Sequence, residues 1–172
     1  MHPFGPMLRL IALWLAACAT APGRPLPSSL SVPASSVLRL SVAARGTQNY
    51  ACQEKKDAAG TFEWAFVAPE ADLFDDAGKK LGIHFAGPTW QLDDGSKVAG
   101  TVKEKVPAPD SIPWLLLVAK AAEGQGRLEG VTFIQRVDTE GGRSPEGGCD
   151  GPHSGEVRKV AYRATYRFFA DR

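Results

Sequence analysis

Hydrophobic and polar residues alternate along most of the chain with a period of two, which is typical of half-buried β-strands. The clearest case lies near the C-terminus, where one parity is occupied by Val160, Tyr162, Ala164, Tyr166 and Phe168. Successive side chains of a strand point to opposite faces, so this parity predicts a strand with one face in the core.

Shorter segments with the same alternation predict further strands. Leu81, Ile83 and Phe85 form the predicted buried face of one of them, which places His84 on the opposite face. Trp114–Ala119 is apolar on both parities and predicts a strand covered on both sides, or a short helix. The other predicted strands are 38–42, 48–52, 62–66, 90–92, 98–103 and 131–137.

Turn signals separate these segments. Asp75–Gly78 (DDAG) and Asp93–Ser96 (DDGS) combine acidic residues with glycine and predict tight turns between paired strands. The glycine-rich stretch 140–155 predicts a long loop. About nine short strands predict an all-β domain over residues 37–172, built as a single antiparallel β-sandwich or barrel with little helix.

The first 36 residues lack this alternation. An apolar run, Leu10–Ala17, follows Arg9 and is shorter than the roughly 20 residues that cross a bilayer, so residues 1–17 are interpreted as a signal peptide. Leu15–Cys18 (LAAC) favours a lipoprotein leader, in which Cys18 is acylated; ordinary cleavage at Ala17–Ala19 (ACA) would instead leave a soluble periplasmic protein. Residues 18–36, rich in proline and serine, predict a flexible tether.

Charge narrows the range of partners. The chain has 20 basic and 19 acidic residues, and Arg9 is the one basic residue of the predicted leader, so the remainder is balanced. Without a basic excess, binding to nucleic acid is not expected. The predicted membrane contact is the lipid on Cys18, and because Ala19 follows that cysteine, outer-membrane residence is the expectation.

Two cysteines remain once Cys18 is assigned to the lipid. Cys52 and Cys149 are predicted to form a disulfide, because an exported protein folds in an oxidising compartment. A metal-binding or nucleophilic thiol is the alternative, although neither cysteine belongs to a C-x-x-C pair.

Four motifs stand out along the chain: Gly46–Cys52 (GTQNYAC), His84–Trp90 (HFAGPTW), Ile112–Leu115 (IPWL) and Ile134–Gly142 (IQRVDTEGG). They resemble those of a secreted bacterial and fungal family known as domain of unknown function 3455. The likeness runs from Val37 to Phe169, with Phe169 standing where the family usually has a tyrosine. The resemblance implies an exported single domain with both cysteines, and it implies no agreed activity.

Candidate chemistry rests on polar residues at predicted buried positions. Gln48 and Gln135 each share the parity of apolar neighbours, so each is either a structural residue linking strands or a wall of a polar pocket. His84 precedes a bend that leads to Trp90, and is interpreted as a satisfied or surface histidine or as a ligand contact. Arg136 is a possible anion clamp, with an ion pair to Asp138 as the alternative.

The aromatic residues Trp64, Trp90 and Trp114 are interpreted as core residues; the alternative is that one of them is exposed in a groove and stacks on a sugar or another flat ligand. No metal site and no cofactor are expected, because the sequence lacks metal-ligand spacing, a nucleophile elbow and a phosphate loop.

Two functions follow from these residues. The first is a lipid-anchored envelope module that binds a glycan, peptidoglycan or a protein partner, or has a structural role. The second is a hydrolase that uses His84 with a nearby carboxylate such as Asp138 or Asp150.

Overall fold

The computed structural model describes residues 24–172, in which eight antiparallel strands form one closed barrel. The all-β prediction is confirmed, and of the two predicted architectures the barrel is the one observed. The strands are β1 Ser36–Lys55, β2 Ala58–Phe74, β3 Lys80–Phe85, β4 Thr89–Leu92, β5 Lys97–Ala108, β6 Ser111–Glu123, β7 Val131–Gly141 and β8 Val157–Asp171. Short 3-10 turns occur at Ser28–Leu30 and Gly151–His153. Within residues 24–172, no helix is long and apolar enough to span a membrane.

Strand β1 closes the barrel, because it pairs with β2 on one side and with β8 on the other. It unites the two strands predicted at 38–42 and 48–52, which is why eight strands are found where nine were predicted. The intervening residues continue the ladder through Gly46, where a Cβ atom would collide with the carbonyl oxygen of Glu70. A glycine therefore permits the close approach of β1 and β2 at this point.

The barrel interior contains the main hydrophobic core. The predicted parity of the C-terminal strand is confirmed in its central part, because Tyr162, Ala164, Tyr166 and Phe168 are all buried. They pack with inward residues from the other strands, among them Val42, Leu73, Trp90, Leu92, Val98, Leu117 and Ile134.

The predicted parity of β3 is wrong, and this matters for the site. His84 is buried at 2 % exposure whereas Ile83 is exposed at 42 %. The cause is an irregularity in the β2–β3 pairing, in which Leu73 pairs with Gly82 and the next residue of β2 pairs with Lys80. Leu81 falls in the gap and is buried too, so parity changes there and His84 points inward.

Residues 24–35, the N-terminal strap, lie against the outside of the barrel. Leu30 is completely buried in a second core, which also contains Trp114, Leu116 and Val137. The flexible tether predicted for residues 18–36 is therefore wrong for the part around Leu30. Trp114–Ala119 was predicted to be a strand covered on both sides, and this is confirmed for the first half of the segment. There the barrel core covers the inner face of the strand and the N-terminal strap covers its outer face. The predicted signal peptide, Cys18 and the start of the tether lie outside the described residues.

The predicted disulfide between Cys52 and Cys149 is present and joins residues that are 97 positions apart in sequence. It joins β1 to the long loop between β7 and β8, and the same loop is held by a hydrogen bond from the Gly155 amide to the Cys52 carbonyl, 2.9 Å. Trp64 packs beside the disulfide, and its indole N–H donates to the carbonyl of Gly147 at 2.8 Å. The loop is thereby fixed against the barrel.

Candidate functional site

A cavity of about 580 Å³ opens from the barrel interior to the surface, and the exposed side chains of Phe66, Val67 and Val102 form its mouth. Its volume lies within the range of roughly 300–1,000 Å³ that is usual for small-molecule sites. Most of its lining is apolar or aromatic, and the side chains come from β1, β2, β5, β6 and the β3–β4 hairpin: Tyr50, Phe66, Val67, Pro88, Val102, Ile112, Leu115 and Leu117. The cavity thus offers an apolar space of ligand size.

Three aromatic rings form one wall of this cavity. His84 and Trp90 are cross-strand partners on β3 and β4, and their rings stack with centroids 4.5 Å apart and planes 9° from parallel. The ring of Tyr166, on β8, contacts both, with centroids 5.0 Å from His84 and 5.1 Å from Trp90. Stacked and edge-on contacts of this kind stabilise aromatic clusters, so the wall is rigid.

His84 is held as a neutral imidazole. Its Nδ1 lies 2.8 Å from the carbonyl oxygen of Thr89, and because a carbonyl can only accept, Nδ1 carries the proton. Burial lowers the pKa of His84 to about 3, against a smaller opposing effect of the Thr89 hydrogen bond, and the charge of Arg136 lowers it further. The other ring nitrogen, Nε2, is therefore a hydrogen-bond acceptor.

Arg136 is the charged group of the cavity wall at β7. Its Nε and one terminal nitrogen donate to the carbonyl oxygen of Pro113 at 3.1 and 2.9 Å. The predicted ion pair with Asp138 is wrong. Asp138 has a φ of 51° at an irregularity in the β7–β8 pairing, and its carboxylate lies 3.5 Å from Arg167 instead. This local turn separates two residues that a regular strand would place on one face.

Buried hydrogen-bond donors without a partner are concentrated at this site. They include the side-chain amide nitrogen of Gln48, the indole nitrogen of Trp90 and the hydroxyl of Tyr166, all of which line the cavity. The hydroxyl of Tyr162 is also buried and unpartnered. It neighbours Gln48 and the hydroxyl of Tyr166, which also neighbours Arg136, but none of these contacts meets hydrogen-bond geometry. Burial raises the pKa of both tyrosines, so both hydroxyls remain protonated donors.

Four of the five predicted ligand-contact residues meet in this cavity, namely Gln48, His84, Trp90 and Arg136. The fifth, Gln135, lies on the outer face of β7, where its amide nitrogen donates to the carbonyl of Leu30 at 2.7 Å. Its place is therefore under the N-terminal strap and not at the cavity.

Sequence reasoning missed two tyrosines of the cavity. Tyr50 is buried, and its hydroxyl donates to the carbonyl of Gly142 at 2.6 Å. Tyr166 was interpreted only as part of an apolar face. These residues could have been identified from the sequence, because each is a tyrosine on a predicted buried face. A buried phenol needs a hydrogen-bond partner, whereas a phenylalanine does not.

The acids proposed as partners of His84 lie elsewhere. Asp138 is paired with Arg167, and Asp150 caps the turn at Gly151–His153 and contacts His153 at 2.5 Å. Of residues 24–172, no aspartate or glutamate lines the cavity, and no three His, Cys, Asp or Glu side chains are grouped to hold a metal ion. The predicted pairing of His84 with Asp138 for hydrolysis is therefore not formed.

A family model described as Protein of unknown function (DUF3455) matches residues 33–170. The chain belongs to the DUF3455 family. The match begins within the N-terminal strap and ends one residue before the end of β8, so the DUF3455 region contains nearly the whole barrel and all the residues that line its cavity. No curated protein and no solved structure matches the chain.

Proposed function

We propose that this DUF3455 protein is a small-molecule-binding module and that the barrel interior is its binding site. The observation that carries the proposal is the coincidence of an apolar cavity of about 580 Å³ with buried, unpartnered donors on Gln48, Trp90 and Tyr166. A ligand with an apolar body and a hydrogen-bond acceptor fits both features.

The unpartnered donors support binding over a purely structural role. Each buried donor without a partner costs about 1–3 kcal/mol, and replacing it by an apolar group of the same shape would remove that cost. Phe168, two residues from Tyr166 on the same inward face, shows that β8 accommodates phenylalanine in the core. A tyrosine at position 166, in place of a phenylalanine, is explained if its hydroxyl donates a hydrogen bond to a ligand.

The proposed cellular setting is the envelope. The Cys52–Cys149 disulfide is compatible with export, and the proposed anchor is a lipid on Cys18, with outer-membrane residence. Replacing Cys18 by serine is expected to abolish lipid labelling and release the protein from membranes. Unchanged membrane retention would contradict the proposed anchor.

Tyr166→Phe tests the binding function with naphthamide, a neutral bicyclic probe with one carbonyl acceptor. Loss of one neutral hydrogen bond is expected to weaken binding by roughly threefold to tenfold, measured by calorimetric titration. The melting temperature without probe is expected to stay the same or rise, because a buried unpartnered hydroxyl is removed.

Tyr162→Phe is the matched control. It removes another buried, unpartnered hydroxyl from the same strand, but Tyr162 does not line the cavity. Because its hydroxyl lies behind the donors of Gln48 and Tyr166 and does not line the cavity, this variant should weaken naphthamide binding clearly less than Tyr166→Phe does. Equal weakening of naphthamide binding by both substitutions would contradict the proposal.

A further inference from the structure

The cavity contains positive charge with no protein counter-charge. Arg136 and Lys105 both line it, and neither is in an ion pair among the residues that the structure describes. Burial raises the pKa of Tyr50 and Tyr166 and lowers that of His84; the charge of Arg136 opposes the effect on the two tyrosines and adds to the effect on His84. The positive charge of the Arg136 guanidinium therefore affects buried side chains inside the barrel.

The position of Arg136 is fixed by the backbone. Two of its nitrogens donate to one carbonyl oxygen, that of Pro113, at 3.1 and 2.9 Å. A neutral carbonyl satisfies hydrogen bonds but does not neutralise a cation, and a partly buried cation is stabilised by an anion. These hydrogen bonds fix the guanidinium, and its remaining N–H groups are available to donate to a bound anion.

The neighbouring polar groups match the same anion. The amide of Gln48, the indole of Trp90 and the hydroxyl of Tyr166 are donors without partners, and carboxylate oxygens are acceptors. Because the rest of the lining is apolar, only one part of the ligand is expected to be charged. Lys105 is exposed, so the partly buried Arg136 is the cation that most needs a counter-charge, and its fork geometry suits one carboxylate.

We infer that the ligand is a small monocarboxylate with an apolar body, whose carboxylate pairs with Arg136 inside the barrel. The inference rests on the proposed binding function and specifies the chemical class of its ligand. The apolar body occupies the region bounded by Phe66, Val102 and Leu115.

The test compares naphthoate with naphthamide, which have nearly the same shape and differ in charge. The parent protein is expected to bind naphthoate at least about tenfold more tightly, because charge-assisted hydrogen bonds are roughly twice as strong as neutral ones. This comparison uses the full chain and depends on no substitution.

Arg136→Gln extends the test to the residue itself. It should remove the preference by weakening naphthoate binding much more than naphthamide binding, whereas Arg136→Lys should restore part of the preference. Arg167→Gln is the matched control, since Arg167 lies on the outer side with Asp138, and it should leave both affinities unchanged.

The outcomes separate the two proposals. Equal affinities for the two probes in the parent protein, or a preference that survives Arg136→Gln, would overturn the carboxylate inference and leave the binding function standing. Failure of both probes to bind would overturn the binding function and the inference together.

Discussion

Burial of neutral His84 predicts that the protein loses stability as the pH falls from 7 to 4.5. The pKa of His84 is about 3 in the folded protein, and an unfolded histidine has a pKa near 6.5. The folded-state value is the lower one, so below pH 6.5 the unfolded chain binds more protons and folding is disfavoured. Stability from this residue is complete above pH 6.5 and is lost progressively towards pH 3.

The size of the effect follows from the difference between the two pKa values. Each pH unit within the window changes the free energy of unfolding by about 1.36 kcal/mol, so the protein should be about 2 kcal/mol less stable at pH 5 than at pH 7. Urea denaturation at a series of pH values, followed by tryptophan fluorescence, measures this slope directly. The pKa values of Glu70 and Asp150 are lowered by hydrogen bonds to Lys159 and His153, so those acids affect stability mainly below this window.

His84→Gln is the control for this prediction. Glutamine does not titrate, so the variant should show a markedly flatter dependence of stability on pH between 4.5 and 7, whatever its absolute stability. A slope in the variant equal to that of the parent protein would refute the assignment of the effect to His84.

Two other contacts give stability predictions. Replacing Cys52 and Cys149 by alanine should lower the free energy of unfolding by about 4–5 kcal/mol in the chain-entropy treatment of a loop near 100 residues; a loss below about 1 kcal/mol would contradict a stabilising role for this disulfide. Leu30→Ala should cost about 2–5 kcal/mol, because the side chain of Leu30, on the N-terminal strap, is completely buried against Trp114 and Leu116. Leu26→Ala, at a residue 39 % exposed on the same strap, should change stability far less, and equal losses in the two variants would show that the strap contributes little through Leu30. Both predictions are measured by denaturant unfolding.

Local patterns predicted the parts of the fold that depend on local rules. The alternation around Tyr166 fixed which face of β8 is buried, and the acidic-glycine segments 75–78 and 93–96 do form turns between strands. The disulfide followed from the number of cysteines and the expected compartment. These features are encoded within a few residues, so no tertiary information was needed.

The errors occur where pairing between strands breaks the period of two. The irregularity at Leu81 reverses parity and turns His84 inward, and the positive φ of Asp138 turns its side chain away from Arg136. A sequence pattern assumes a regular ladder and contains no sign of such irregularities. The strap around Leu30 was missed for another reason. Its proline- and serine-rich composition predicts a flexible segment, and composition does not indicate that a single leucine packs against the outer face of the barrel.

The sequence predicted individual residues of the candidate site, but it did not predict that they lie together in one cavity. Gln48, His84, Trp90 and Arg136 come from four different strands, and only closure of the barrel brings them to one cavity. Strand order and closure depend on contacts far apart in sequence, so the alternation in the sequence could not show that these residues meet.

The most direct test of the account is the indole N–H signal of Trp90 in a ¹H–¹⁵N correlation spectrum during titration with naphthamide. Signals are assigned by tryptophan-to-phenylalanine substitution, and Trp64 and Trp114 serve as internal controls because their side chains lie outside the cavity lining. The account predicts a saturable shift of the Trp90 signal while the Trp64 and Trp114 signals stay in place. An unchanged Trp90 signal at probe concentrations that saturate binding by calorimetry, or a shift confined to Trp64 or Trp114, would contradict the barrel interior as the binding site.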